Sequence, residues 1–146
     1  MLRGLGLLVM LMLAVTSCKE EDDFCSSVDL RCECVYMGLV DEAGNSLLQD
    51  GGPYDPEAIR LFRDDQEIEL FAEVDDQLTT LLFYYRDMIS GVVYSLQLSE
   101  TETDRIRITT TLIDGRCGDY LELTEFRYNG ELVEGQGETY IIEKRS

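Results

Sequence analysis

Three stretches of this chain alternate apolar and polar residues with a period of two, and no other feature limits the fold as strongly. Across 105–112, Ile106, Ile108, Thr110 and Leu112 interleave with Arg105, Arg107, Thr109 and Thr111. Across 67–74, Ile68, Leu70, Ala72 and Val74 interleave with Glu67, Glu69, Phe71 and Glu73, and across 92–98 one face carries Val92, Tyr94, Leu96 and Leu98. Successive side chains of a strand point to opposite faces, so each stretch reads as a half-buried antiparallel strand with one wet face. Further strands are expected at 31–40, 58–62, 80–86, 120–128 and 139–143, which are rich in β-branched and aromatic residues.

Turn chemistry separates these runs. Gly44-Asn45, Gly51-Gly52-Pro53, Asp64-Asp65, Ser90-Gly91, Asp114-Gly115, Asn129-Gly130 and Gly135-Gln136-Gly137 punctuate the pattern. Asn129-Gly130 is the strongest hairpin signal, because a type I′ turn needs positive φ at both central residues. No helix longer than two turns, no internal repeat and no second domain is legible. The pattern predicts an all-β fold, a single antiparallel β-sandwich of about 7–8 strands over 31–146.

Composition narrows the function classes. A chain of 146 residues with 45% apolar content can bury one self-sufficient core and is not a disordered acidic tail. Its 30 Asp and Glu against 12 Lys and Arg give a net charge of −18, which argues against nucleic-acid binding, since phosphate neutralisation needs a basic footprint. The chain has no His, so the usual general base, His-containing triads and most catalytic zinc sites are removed.

Residues 1–17 read as a signal peptide. Arg3 supplies a positive start, and the apolar run from Leu5 to Val15 is too short to span a bilayer. The sequence Val15-Thr16-Ser17-Cys18 resembles a bacterial lipobox, in which small residues precede a cysteine that becomes lipidated and forms the new N-terminus. The resemblance implies an acylated Cys18 and, with two or three chains, stable anchoring to a membrane. Residues 18–30 then form an acidic tether that would be repelled by anionic headgroups and stand off the surface. Lys19-Glu20-Glu21 resembles the export signal of surface lipoproteins in the Bacteroidota. That resemblance implies an outer-membrane anchor facing the medium, with a periplasm-facing anchor as the alternative.

The run from Gly38 to Leu48, the segment Tyr54-Asp55-Pro56-Glu57-Ala58-Ile59-Arg60-Leu61 and Tyr128-Asn129-Gly130 resemble the small sandwich domains of Bacteroidota lipoproteins, similar to transthyretin-like or carboxypeptidase-regulatory-like modules. The likeness covers about 35–130 and implies fold and location, not chemistry.

Cys25, Cys32, Cys34 and Cys117 are disulfide candidates in an oxidising compartment. Cys32 and Cys34 share one strand face, but a bond between them is expected to strain the backbone, so one should join Cys117 and the other Cys25. A Cys34–Cys117 bridge would close a long loop, which the chain-entropy model values at about 4.5 kcal/mol. Neither a metal nor a redox motif is complete around Cys32-Glu33-Cys34, which lacks His and CxxC spacing. The acidic runs Asp22-Asp23, Asp64-Asp65, Asp75-Asp76 and Glu100–Asp104 lack the alternating acids and bend glycine of a calcium loop and read as solvated loops. In Thr80–Tyr85, adjacent Phe83, Tyr84 and Tyr85 must alternate between faces, which suits a central strand covered on both sides.

These features predict a lipid-anchored, non-catalytic binding or accessory module that needs no cofactor or metal, with an envelope protein or a glycan as partner. A structural subunit of an envelope complex is the rival reading, and a small carboxylate-dependent hydrolase comes third.

Overall fold

Ten strands in two sheets make up the architecture, in a computed structural model that describes residues 32–49, 51–74 and 78–145. Residues 1–17, Cys18, Lys19, Glu20, Glu21, Cys25 and Asp75-Asp76 lie outside the described residues. The strands are β1 (Cys34–Val40), β2 (Arg60–Arg63), β3 (Gln66–Ile68), β4 (Phe71–Val74), β5 (Thr79–Tyr84), β6 (Val93–Gln97), β7 (Thr103–Ile113), β8 (Tyr120–Tyr128), β9 (Glu131–Leu132) and β10 (Thr139–Glu143). One sheet runs β10-β1-β5-β4 and the other β3-β2-β6-β7-β8-β9. Every pairing is antiparallel except β1 with β10. The strand number exceeds the sequence expectation because the stretch 67–74 divides into β3 and β4, and β9 is only two residues long.

The even-numbered residues of β6 and the first half of β7 fill the core, as their alternation requires. Tyr94, Leu96, Ile106 and Ile108 pack with Val35, Met37 and Leu39 of β1 and with Leu81 and Phe83 of β5. Phe126 of β8 meets Tyr140 of β10 at 4.6 Å between ring centroids, joining the two sheets through aromatic contact. In β5, Leu81, Leu82 and Phe83 are all buried, so the strand is covered on both faces. Tyr84 packs edge-on against Phe71, with Arg86 over its ring. Tyr85 leaves the strand in a 3-10 turn and its hydroxyl donates to the Leu121 carbonyl at 3.2 Å.

Two alternation readings are corrected. The stretch 67–74 is not one strand: β3 pairs with β2, whereas β4 pairs with β5 in the other sheet. The chain changes sheets at Glu69-Leu70, so Ile68 is buried while Ala72 and Val74 are exposed on an edge strand. In β7, the register with β8 shifts between Thr109 and Thr110. A bulge bends and twists a hairpin locally, and beyond it Leu112 is exposed instead of facing the core.

The expected hairpin forms at Asn129-Gly130, with φ of 50° and 89° and with Tyr128 opposite Glu131. Gly130→Ala should lower stability by about 1–2 kcal/mol, because an L side chain is strained at that φ. Urea unfolding of the variant against the parent checks this.

The disulfide expectation is also corrected: Cys32 and Cys34 are bonded to each other. The strand begins only at Cys34, and the Cα atoms of the two cysteines sit 5.1 Å apart, within the usual range for a bridge. Neither thiol is therefore left for Cys117, which is itself disulfide-bonded.

Candidate functional site

At the end of the sandwich where β1 and β10 finish, four chain segments converge on one ion cluster. Asp104 is the one buried charged residue among the described residues. It lies in β7 with the same parity as Ile106 and Ile108, so the pleat turns its carboxylate inward. Its Oδ2 accepts hydrogen bonds from the Tyr128 hydroxyl and, at 2.6 Å, from Lys144 Nζ, and its Oδ1 accepts from Asn129 Nδ2 at 2.9 Å. Lys144 follows β10 and also donates to Glu102, whose other oxygen accepts from the Tyr54 hydroxyl at 2.8 Å. The ammonium stands 5.1 Å from the centre of the Tyr54 ring, and the Lys144 backbone N–H donates to the Val40 carbonyl at 2.9 Å. Asn129 completes the frame: its Oδ1 accepts from the Arg105 backbone N–H at 2.8 Å. The cluster thus ties the β8–β9 turn, the β6–β7 loop, the β1–β2 loop and the tail after β10 into one unit.

Burial pushes the Asp104 carboxyl up, but hydrogen bonds from Lys144, Tyr128 and Asn129 and the Lys144 charge outweigh it and hold the group below the usual carboxylate range. Burial likewise pushes Lys144 down, and its bonds to Asp104, Glu102 and Tyr54 reverse the shift, leaving it above the ordinary lysine value. Burial and the neighbouring Asp104 carboxylate raise the Tyr128 hydroxyl. Each group is thereby fixed in one protonation state at neutral pH. General acid–base work needs the opposite, a group poised near the working pH. The two carboxylates bracket one ammonium instead of facing each other across a cleft. An open cavity of about 570 Å³ lies above the cluster, lined by Asp41, Glu42, Tyr54, Glu102, Lys144 and Arg145.

The opposite end of the sandwich holds the sequence-predicted cysteines. The Glu33 carboxylate accepts from the Leu121 backbone N–H at 2.7 Å, tying the start of β8 to the start of β1. Cys32, Cys34 and Glu138 lie within 4.8 Å of one another by their ligand atoms. Because the sulfurs are bonded to each other, they are not thiolate ligands here. The structure does not bring these cysteines together with the ion cluster.

Sequence reasoning placed Glu102 and Asp104 in a solvated loop and did not single out Lys144, Tyr128 or Tyr54 as a site. That reading is corrected for Asp104, which is in a strand and buried. A signal was present: Asp104 continues the inward parity of Ile106 and Ile108. Nothing in the sequence marked Lys144 as its partner, forty residues away.

Fold and cluster define the chain as an all-β sandwich protein with a partly buried ion network at one end. No protein-family model, curated protein or solved structure matches it.

Proposed function

We propose that this protein is a lipid-anchored cell-envelope module, facing the medium, that binds a partner without catalysing a reaction. The observation that carries the non-catalytic part is the state of the ion cluster. Its most perturbed groups are stabilised as carboxylate, ammonium and neutral phenol, which suits a structural lock and leaves none of these three groups as a proton donor or acceptor tuned to neutral pH. The anchor rests on the sequence alone: the apolar run, the small residues and Cys18 fall in the order that lipidation requires, and Lys19, Glu20 and Glu21 follow at once.

The test follows Cys18. Cells fed an alkyne fatty acid should label the parent chain, and Cys18→Ser should lose both the label and sedimentation with membranes. A variant that still labels and pellets would sink the anchor. Protease added to intact cells should cleave the parent chain, and full protection would place it on the periplasmic side.

A further inference from the structure

The outward face of the six-stranded sheet carries a basic groove in a strongly acidic chain. Arg105 and Arg107 are alternate residues of β7 and point away from the core, opposite in parity to the buried Asp104, Ile106 and Ile108. Arg127 of β8 stands directly across from Arg107, and Val93 of β6 flanks Arg107 on the other side. These side chains, with Thr103, Asn129 and Gly130, line an open groove of about 620 Å³. No carboxylate is among the lining residues, although acids outnumber bases 30 to 12 in the whole chain.

Like charges directly opposed across a sheet are destabilising, and the structure only partly offsets this. Glu125 accepts from Arg127 Nε at 2.6 Å and from Arg107 Nη2 at 3.4 Å, so two guanidinium groups share one carboxylate. Arg127 is held further by a bond from Nη1 to the Gly130 carbonyl at 3.0 Å, which fixes its plane. The Arg105 side chain has no ion-pair or hydrogen-bond partner among the described residues, and its whole fork of donors is presented to solvent. Internal pairing reaches two of the three arginines, through a single carboxylate. The excess positive charge is what a bound anion would neutralise, and a planar guanidinium recognises a carboxylate by paired parallel hydrogen bonds.

We propose that this groove binds an acidic oligosaccharide, with carboxylates on neighbouring sugar rings held by Arg105 and by the Arg107–Arg127 pair. Four observations select this occupant. The volume suits a ligand of a few rings. Beneath the arginines, β7 pairs with β6 and with β8, and β8 pairs with β9 at Arg127 and Tyr128, so the backbone at the groove is spent in the ladder and does not take up a peptide as an added strand. A long, uniformly charged nucleic acid would meet the chain's net −18 beyond the groove, whereas a short ligand is shielded from it within a screening length of about 8 Å at physiological salt. The lining contains no aromatic ring for a neutral sugar to stack on, so the carboxylates must supply recognition.

The proposal deepens the binding-module reading and does not depend on the anchor. Calorimetry on the full chain with tri-galacturonate should show saturable binding that weakens as salt rises, and neutral maltotriose should not bind. Arg105→Ala should weaken binding by about tenfold or more, the loss expected for a charge-assisted contact, with the thermal midpoint unchanged. Arg105→Ala/Arg107→Ala should remove binding, with circular dichroism confirming the fold. Absence of saturable uronate binding, or binding that the substitutions leave intact, overturns the proposal. Equal binding of tri-glutamate also overturns it, because the site would then read charge and not sugar. The Cys18 labelling is read independently, so loss of the ligand with lipidation intact removes this inference and leaves the anchored module standing.

Discussion

Asp104→Ala should lower the unfolding free energy by about 3 kcal/mol at pH 7. The substitution leaves Lys144 in a site where its side chain is only 15% exposed, and it strips the Tyr128 hydroxyl and the Asn129 amide of their acceptor. Breaking one side of a buried pair costs about 3–5 kcal/mol. The lower end applies here because Glu102 stays bonded to Lys144. Such a loss is a large share of a typical domain stability of about 5–15 kcal/mol.

The same group gives a pH signature that separates it from the other acids. The folded-state pKa of Asp104 is depressed, so its contribution is present above the unfolded value of about 3.9 and is lost as pH falls through the lower folded value. The stability difference between the parent chain and Asp104→Asn should therefore be constant from pH 5 to 7 and shrink below about pH 4. Taking the difference cancels the background of the remaining carboxylates, whose protonation relieves self-repulsion in both proteins. A difference that stays flat down to about pH 2 would show that ionised Asp104 is not what holds the cluster. Urea titrations across this range measure it.

Phe126→Ala should cost about 3–5 kcal/mol, the usual range for truncating a buried Phe. Phe126 is 1% exposed and touches Tyr140 across the gap between the sheets. The cavity would open between β8 and β10, where the backbone of each is held by its own ladder and cannot collapse to fill it. Phe126→Leu should recover most of the loss, since it restores apolar volume without the ring contact. Denaturation midpoints of the two variants, with unchanged m-values, check the pair.

The sheet-forming character of this chain was legible because side-chain alternation is a local property. β8 and β10 match their sequence-predicted ranges residue for residue, and the Asn129-Gly130 hairpin follows from a φ requirement that only a few residue types meet. Local pattern failed where the chain changes partners. The run 67–74 keeps apolar residues at every even position, yet it serves two sheets, because alternation records which side chains are apolar and not which strand lies beside them. The same limit covers Leu112, which keeps the parity of Ile106 along β7 yet is exposed beyond the register shift, where Thr124 of β8 is the extra residue.

The sites divide in the same way. Sequence by itself determined the order of apolar run, small residues and Cys18, the class of fold and the absence of a histidine base, all of which depend on residue identity or near neighbours. Only the tertiary structure decided that Cys32 bonds Cys34, that Asp104, Tyr128, Glu102 and Lys144 share one network, and that three arginines line one outward groove. Each of those depends on which segments are brought together in space. Lys144 reaches Asp104 because β10 pairs in parallel with β1 at one end of the sandwich, and Arg127 faces Arg107 because β8 folds back along β7. Pairings of that kind are set by packing of the whole core.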